Sequence, residues 1–352
     1  MGWSRDRQYR FGEGVCRVYA QNDPKFPDGA LWELSNCVYD LESENPEAMR
    51  GSTQVGTTAM ADVVSGLFDY KEGTKLLASA ENGLFYEYAG SDWAAGTGAR
   101  ATSNSTTDGV RWNGTMFYSA TDADSIMCLG NGVDAPAKYD GTDFKALGGS
   151  LSATANFPVA WQNRVWWASG STLLGSATND CENYTASAGG ININVYRGTG
   201  DITGLAAFAR HLFIFKRHAI FVIAPTATFN DLNVENVSLS VGCTSHRSID
   251  DTETGTSLIF KSERGLDAIV PGGGSSGFSV ANISRFVRPI LDRTNPAQDG
   301  VSWGLFNLKR LEYYYTYATG TQAVPKEGLI ANVSRQSKPY RWTQWAQPNL
   351  TA

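Results

Sequence analysis

Closely spaced carboxylates are the residues of this chain with the clearest potential for catalysis. They form three groups: Asp122 with Asp124, Asp180 with Glu182, and Asp250 with Asp251 and Glu253. Two carboxylates that flank a glycosidic bond are the machinery of most glycoside hydrolases. All three groups fall in segments that we predict to be turns, where Asp commonly hydrogen-bonds nearby backbone. We therefore predict structural roles for them, no catalytic residue and no enzymatic activity.

Histidines are the next candidates, as metal ligands. His211 and His218 lie at opposite ends of the predicted strand 212–215, and His246 is distant in sequence. A strand advances ~3.3 Å per residue, so the first two cannot readily share a metal ion. We predict no metal site and no cofactor. The basic residues beside this strand are expected to form a hairpin rim, with contact to a subunit or to DNA as the alternative: Arg210, Lys216 and Arg217.

The cysteine, serine and glycine patterns of the chain do not indicate a nucleophile or a phosphate site. The five cysteines are widely spaced without a C-x-x-C pair, which indicates neither a zinc site nor a disulfide framework. They are Cys16, Cys37, Cys128, Cys181 and Cys243. Gly-x-Ser-x-Gly occurs at 273–277 and at 300–304, but no helix is predicted after either match, as a nucleophile elbow would require. The glycine-rich segment 272–277 also lacks the Gly-Lys-Ser/Thr ending of a phosphate loop. We expect that segment to be a surface loop.

Two aromatic segments, 313–317 and 340–345, admit two interpretations. Tyr and Trp are suited to core strands, and also to oligomer interfaces or saccharide-stacking surfaces. We predict core strands of the last repeat, with an interface wherever a ring is exposed.

The elements that would position all these residues form a repeated hairpin. Six copies pair an apolar strand with a second strand across a polar turn: 74–80 with 84–88, 115–120 with 125–129, 164–169 with 172–176, 211–215 with 219–223, 256–260 with 266–270, and 309–315 with 329–333. The turn Asn82-Gly83 is a strong hairpin signal, and Asn113-Gly114 is taken as a turn before the second copy. Leading strands are predicted at 110–112, 157–161 and 202–208.

The spacing of the copies predicts the architecture. Their first strands begin 41 to 53 residues apart, the length of a four-stranded propeller blade. Central strands such as 212–215 and 220–223 are continuously apolar, as expected for blades buried on both faces. We predict an all-β, propeller-like fold of about six blades over residues 61–352. Residues 1–60, rich in charge and proline, are predicted to be an extended docking arm with the first strand elements.

Charge and hydropathy limit the partners. The net charge of −6 gives no positive field for sequence-specific nucleic-acid binding. No apolar run approaches the ~20 residues of a membrane helix, and the polar start 1–7 does not read as a signal peptide. We expect no membrane partner and assembly in a cytoplasm.

Four segments have local patterns of interest: an Asn-containing strand before a turn, an Asp-Gly hairpin, a strand entry of small residues and a Gly-containing turn. They are 34–40 with 49–52, the Asp-Gly hairpin 131–141, the strand entry 240–245 and the blade turn 261–266. Together they resemble the propeller-like hub or nozzle proteins that close phage tails. The resemblance is spread over most of the chain.

This resemblance implies a structural virion protein of the phage tail. The expected assembly is a ring of six copies with a central channel for DNA ejection, docked to an adaptor ring on the portal side and to fibre or needle proteins. DNA would pass without specific binding, so the channel lining is expected to be acidic or neutral. Two alternatives stay open: a carbohydrate-binding or glycan-hydrolysing propeller, and a minor capsid or connector protein of a long-tailed phage.

Overall fold

The computed structural model describes most of the chain beyond residue 60. The described residues are 17, 37–39, 46–48, 60, 62–107, 110–149, 151–226, 232–252, 255–273, 276–333 and 340–346. Within them the secondary structure is almost entirely β. The first pairing is a short antiparallel one, between β1 Cys37–Tyr39 and β2 Pro46–Ala48.

Six four-stranded sheets follow, each built from four consecutive strands. Blade 1 contains β3 Val64–Tyr70, β4 Lys75–Ala80, β5 Phe85–Tyr88 and β6 Trp93–Ala95; blade 2 contains β7 Asn113–Ser119, β8 Asp124–Gly130, β9 Ala137–Tyr139 and β10 Phe144–Ala146; blade 3 contains β11 Asn156–Trp161, β12 Arg164–Ser169, β13 Thr172–Gly175 and β14 Ile191–Asn194; blade 4 contains β15 Ile202–Phe208, β16 His211–Lys216, β17 Ile220–Ile223 and β18 Val234–Ser238; blade 5 contains β19 Ser245–Asp251, β20 Leu258–Ser262, β21 Gly265–Pro271 and β22 Phe278–Asn282; blade 6 contains β23 Trp303–Asn307, β24 Glu312–Tyr317, β25 Glu327–Asn332 and β26 Arg341–Ala346. The protein is a six-bladed β-propeller, and the predicted fold class is confirmed.

Helical structure in the described chain is short. The single turn α1 Arg288–Leu291 follows the 3-10 turn Arg285–Val287, and further 3-10 turns span Ala186–Ala188 and Pro296–Val301. None of the helices in these described ranges has the length and apolar character needed to cross a membrane.

Contacts group the described residues into two units, each with its own core. Unit 1 takes residues from 1–51, 247–271 and 280–350, and unit 2 takes residues from 52–246 and 272–279. The core of unit 1 includes Tyr313, Tyr315 and Trp342. Unit 2 buries side chains between successive blades, for example Phe85 stacked on Phe144 with ring centroids 4.4 Å apart. The predicted boundary at residue 60 stays a prediction, because residues 1–60 are largely outside the described ranges.

The apolar central strands behave as the sequence predicts. All of the side chains in 212–215 and 220–223 are at most 2% exposed, so these strands are covered on both faces. The turn at Asn82-Gly83 is also confirmed: Gly83 has φ +78°, and the Asn82 side chain accepts a hydrogen bond from the Leu84 amide at 3.0 Å.

The prediction for blade 2 is wrong, because it places the hairpin 115–129 one strand too late in the blade. Residues 110–112 are not a strand, and Asn113-Gly114 is not a turn but the beginning of β7, the first strand of the blade. A Cβ on Gly114 would lie about 3 Å from Leu129, Phe68 and Met127, so this glycine permits close packing instead of a turn. The hairpin at 115–129 is therefore formed by strands one and two, not two and three.

The hairpin between β9 and β10 is stabilised by one carboxylate. Asp140 Oδ1 accepts hydrogen bonds from the amides of Thr142 (3.0 Å) and Asp143 (2.9 Å), and Oδ2 pairs with Lys145. Partial burial acts to raise the pKa of Asp140, but Lys145 and the two amides outweigh it and lower the pKa to about 2.

Replacing this carboxylate should change how stability depends on pH. Because the folded-state pKa lies below the unfolded value, the ionised Asp140 stabilises the fold above about pH 4, and this contribution is lost as the pH falls towards 2. Asp140→Asn should lower the free energy of unfolding by about 2 kcal/mol at neutral pH. In urea titrations, the difference from wild type should shrink between about pH 4 and pH 2. Asp143→Asn, in the same turn, is the control, and a pH-independent difference for Asp140→Asn would contradict the assignment.

Candidate functional site

The turns between the first and second strands of blades 1 to 4 form a connected row, here called the first-turn row. Lys71 Nζ lies 2.7 Å from Asp124 Oδ1, which joins blade 1 to blade 2. The amide of Ala120 donates to Asn179 O (2.8 Å), and the amide of Asn179 donates to Asn163 O (2.7 Å), which joins blade 2 to blade 3. These contacts bring turns that are distant in sequence to one edge of unit 2.

Most left-handed positions of this row carry side chains, although Gly73 occupies one of them in blade 1. Residues with positive φ include Lys71, Ala123, Gln162, Asn163 and Arg210. Such a conformation is uncommon for residues with a Cβ, whereas glycine adopts it freely. The row therefore keeps side chains at positions where glycine would fold more easily.

A cleft of about 350 Å³ opens in this row between the first strands of blades 2 and 3. The residues that line this blade 2–3 cleft include Phe117, Tyr118, Trp161, Gln162, Asn163 and Asn179. The strands are joined beneath it by a hydrogen bond from the Ala160 amide to Thr115 Oγ1 (3.3 Å).

The cleft combines aromatic rings with amides. Phe117 and Trp161 are each 6% exposed, and the Trp161 indole N–H is already used in a hydrogen bond to Arg210 O at 2.8 Å. Tyr118 is 59% exposed. The Oε1 atom of Gln162 is buried and accepts no hydrogen bond from any described residue. The arrangement offers an apolar surface and unsatisfied hydrogen-bonding capacity, which suits binding.

An ion cluster centred on Lys138 of β9 lies between strands of blades 2 and 3. Lys138 Nζ is 2.7 Å from Asp122 Oδ1 and 3.2 Å from Glu182 Oε1. Burial alone acts to lower the pKa of Lys138, but hydrogen bonds and attraction from the two carboxylates outweigh it and raise the pKa. Glu182 also accepts a hydrogen bond from the Gly148 amide at 2.8 Å. The ammonium is thus held charged as a structural cross-link.

Two buried thiols, those of Cys128 and Cys181, lie beside this cluster. A hydrogen bond to Cys181 and complete burial hold the pKa of Cys128 well above its usual range. Because the thiolate is the reactive form, a buried thiol with a raised pKa is a poor nucleophile. Cys243 is also buried, and its Sγ donates to Ser245 O at 3.1 Å.

The predicted acidic pairs are separated by their partners. Asp124 pairs with Lys71 on the first-turn row, while Asp122 pairs with Lys138. Asp180 Oδ1 accepts from the Glu182 amide at 2.9 Å, and Asp250 Oδ2 accepts from the Phe306 amide at 2.6 Å.

The prediction that all of these acids occupy turns is wrong for three of them. Asp124 begins β8, and Asp250 and Asp251 end β19. Glu253 lies outside the described residues. Asp122 and Glu182 come together on one ammonium, a pairing that their distance in sequence conceals.

The histidines do not converge on a metal. His211 Nδ1 lies 2.7 Å from Ala209 O, and its ring meets Phe278 edge-on at 4.9 Å. His246 packs against Phe157 at 4.6 Å. Across the described part of the chain, no group of three His, Cys, Asp or Glu side chains is arranged to hold a metal ion.

The predicted basic rim is only partly correct. Arg210 and Arg217 are exposed, as expected. Lys216 is 1% exposed, and its ammonium donates to Val195 O at 2.7 Å and Gly198 O at 3.2 Å. A long side chain can place its charge on backbone carbonyls inside a blade, which the sequence pattern does not reveal.

The aromatic segments are mainly core, as predicted. Tyr313, Tyr315 and Tyr317 are at most 1% exposed, and the Tyr313 hydroxyl donates to Ser248 O at 2.6 Å. The intervening Tyr314 meets Trp345 edge-on with centroids 6.0 Å apart. The alternation follows from the two-residue period of a strand. At the ends of segment 272–277, the Gly272 amide donates to Gly277 O at 2.8 Å, and residues 274–275 lie outside the described ranges.

The sequence did not predict that the residues of the blade 2–3 cleft would form a site. Gln162 and Asn163 form a two-residue turn between apolar strands, and a polar turn is the ordinary expectation there. The available signal was the absence of glycine from so short a hairpin, because the favoured two-residue turns require positive φ.

Comparisons with known proteins support the fold. No family model matches the sequence, and no curated protein matches it. The β-propeller domain of Myceliophthora thermophila Cps50 (Swd1) is similar at 10% identity and a TM-score of 0.52, over 84% of this chain and 90% of that domain.

Two bacterial structures are also similar. A protein described as a 6-phosphogluconolactonase from Bacteroides uniformis has 11% identity and a TM-score of 0.50, over 81% of this chain and 82% of the other. The extracellular domain of a protein described as a hybrid two-component system from B. thetaiotaomicron has 12% identity and a TM-score of 0.48 over 81% of this chain, which spans only 34% of that one. At these identities the similarity shows the fold alone.

The Lys138 cluster predicts a specific pattern of stability changes. Lys138→Met leaves Asp122 and Glu182 without their shared cation, so it should lower the free energy of unfolding by about 2 to 3 kcal/mol. Adding Asp122→Asn and Glu182→Gln to the same chain should restore most of that loss. Urea denaturation of wild type, of Lys138→Met and of the triple variant measures these differences. A change below about 0.5 kcal/mol in Lys138→Met would show that the cluster is not a structural cross-link.

Proposed function

We propose that the protein is a structural part of a phage virion, a subunit of the tail hub or nozzle ring that forms part of the DNA ejection channel. One observation supports a structural role above the others. The carboxylates with catalytic potential are engaged in ion pairs or hydrogen bonds within and between blades, as Asp122, Asp124 and Glu182 illustrate. The tail assignment itself rests on the resemblance of the sequence segments described above.

Exposed apolar side chains support contacts between copies. Tyr196 is 85% exposed and follows β14, the last strand of blade 3. Leu239 is 61% exposed and follows β18, the last strand of blade 4. Aromatic and large aliphatic residues are typical of the centres of interfaces. We propose that these two side chains contact a second copy in a closed ring of about six subunits.

The charge of the chain suits a channel that DNA crosses. Each phosphate neutralised by Lys or Arg adds affinity, and affinity would slow ejection. The excess of 35 acidic over 29 basic residues is consistent with a lining that does not hold DNA. The proposed partners are the adaptor ring on the portal side and fibre or needle proteins. A minor capsid or head–tail connector part of a long-tailed phage is the alternative within the same structural class.

Glycan hydrolysis receives less support. Among the described residues, the lining of the blade 2–3 cleft contains no carboxylate, whereas a glycosidase requires two in contact with the sugar. The proposed role is accordingly not enzymatic.

Removing the exposed apolar side chains should abolish ring formation. Tyr196→Ser combined with Leu239→Ser should leave thermal unfolding unchanged, because both side chains are exposed, while wild type forms rings and the variant does not. Light scattering and negative-stain microscopy of purified protein, alone and with virion lysate, measure this. Val133→Ser, at another exposed apolar position, is the control. A wild-type protein that stays monomeric and forms no ring under either condition would overturn the proposal.

The amino-terminal arm gives a second test. In the described residues, the Arg17 amide donates to Phe286 O at 2.9 Å, and β1 lies against β25 and β26, so part of the arm contacts its own chain. We therefore assign attachment to the adaptor ring or a neighbouring subunit to residues 1–16. Deleting them should give a folded protein that does not join tails in a reconstitution assay. Deletion of 1–60 should in addition reduce stability; normal incorporation of the 1–16 deletion would contradict the assignment.

A further inference from the structure

We propose that the blade 2–3 cleft binds a neutral saccharide of one or two sugar rings. This inference does not depend on the virion assignment, because it concerns only the lining of one cleft in unit 2. It follows from the size of the cleft, the absence of charge in its described lining and the pairing of aromatic rings with amides.

The size of the cleft suits a small ligand. Its volume of about 350 Å³ is near the lower end of ligand pockets, which span ~300 to 1,000 Å³. A single sugar ring or a disaccharide fits that range, whereas a long chain would have to extend along the first-turn row. The opening lies at the ends of β7 and β11, where Tyr118 is exposed to solvent.

The charge of the lining excludes several ligand classes. No Lys, Arg, Asp, Glu or His is among the described residues that line the cleft. Phosphate and nucleic acid are held by cations and charge-assisted hydrogen bonds, and metal ions by carboxylates, imidazoles or thiolates. A neutral ligand is therefore favoured.

The amide side chains of the cleft can form hydrogen bonds with the hydroxyl groups of a sugar. Gln162, Asn163 and Asn179 each carry an amide that provides a donor and an acceptor. A sugar hydroxyl also donates and accepts, so adjacent hydroxyls and amides can satisfy each other. The Gln162 Oε1 atom is buried without a partner among the described residues, which normally costs free energy. A hydroxyl hydrogen from the ligand would satisfy it.

The aromatic rings supply the apolar part of the surface. The C–H face of a pyranose packs on an aromatic ring in the same way as other apolar groups. Tyr118 is assigned this contact because it is one of the residues that line the cleft and is 59% exposed. Phe117 and Trp161 are too deeply buried to offer more than an edge. Tyr118 is therefore assigned the stacking contact and Gln162 the buried hydrogen bond.

The conformation of Gln162 allows folding and binding to be separated. Its φ is +49°, a region that glycine adopts without penalty. Gln162→Gly should therefore leave the protein as stable as wild type or slightly more so. If the side chain has no ligand, nothing else should change. If it binds saccharide, affinity should fall while stability is kept.

The experiment uses the full chain and a panel of neutral mono- and disaccharides, with saturation-transfer NMR for detection and calorimetry for affinity. The affinity expected for a ligand of this size in an open cleft is about millimolar. Tyr118→Ala and Gln162→Gly should each weaken binding at least about fivefold, and Tyr118→Phe should retain it, because stacking needs the ring and not the hydroxyl. Val133→Ala, which removes an exposed apolar side chain elsewhere, is the control and should bind like wild type.

Three results would overturn the proposal. The first is the absence of binding by every neutral sugar at concentrations well above millimolar. The second is binding that Tyr118→Ala and Gln162→Gly leave unchanged, which would place the sugar elsewhere. The third is preference for a charged ligand, tested with glucose 6-phosphate and glucuronate, or for an extended peptide that competes at Tyr118.

Discussion

The structure depends on the burial of both faces of each central strand. A blade is only four strands wide, and in unit 2 the faces of the central strands pack against neighbouring blades. In blade 4 this makes every side chain of 212–215 and 220–223 almost fully buried. Apolar side chains meet this constraint directly. Buried polar groups must be hydrogen-bonded or ion-paired within the fold, because burying an unpaired charge costs free energy.

Lys138 and Lys216 show two ways in which the fold stabilises a buried ammonium group. Lys138 neutralises two carboxylates, and Lys216 donates to two carbonyls. In both cases the charge is used within the fold and is not available to a substrate. Chemistry that remains available is therefore found at the ends of strands, where turns meet solvent. The blade 2–3 cleft lies at such a place, and its neutral amides and exposed Tyr118 suit recognition more than reaction.

The sequence predicted the class of fold and most hairpins, because both depend on local patterns. Apolar runs of strand length, separated by polar turns at a regular spacing, required no knowledge of distant contacts. The strand predicted at 115–120 was placed second in blade 2 because Asn113-Gly114 has the composition of a turn. In the structure Gly114 instead lies in the first strand, where it permits close packing against Phe68. The candidate site was not predictable by the same means. Asp122 and Glu182 meet at Lys138, and Asn179 meets Ala120, through the packing of separate blades.

The strand order also has a consequence for how the chain acquires its structure. Each of the six sheets is formed by four strands that are consecutive in sequence, and no strand is exchanged between sheets. Most backbone pairing is therefore local, which favours rapid formation. A blade can pair its strands soon after its last residue leaves the ribosome, before the following blade has been synthesised. Completion then requires the successive blades to cover one another's apolar faces.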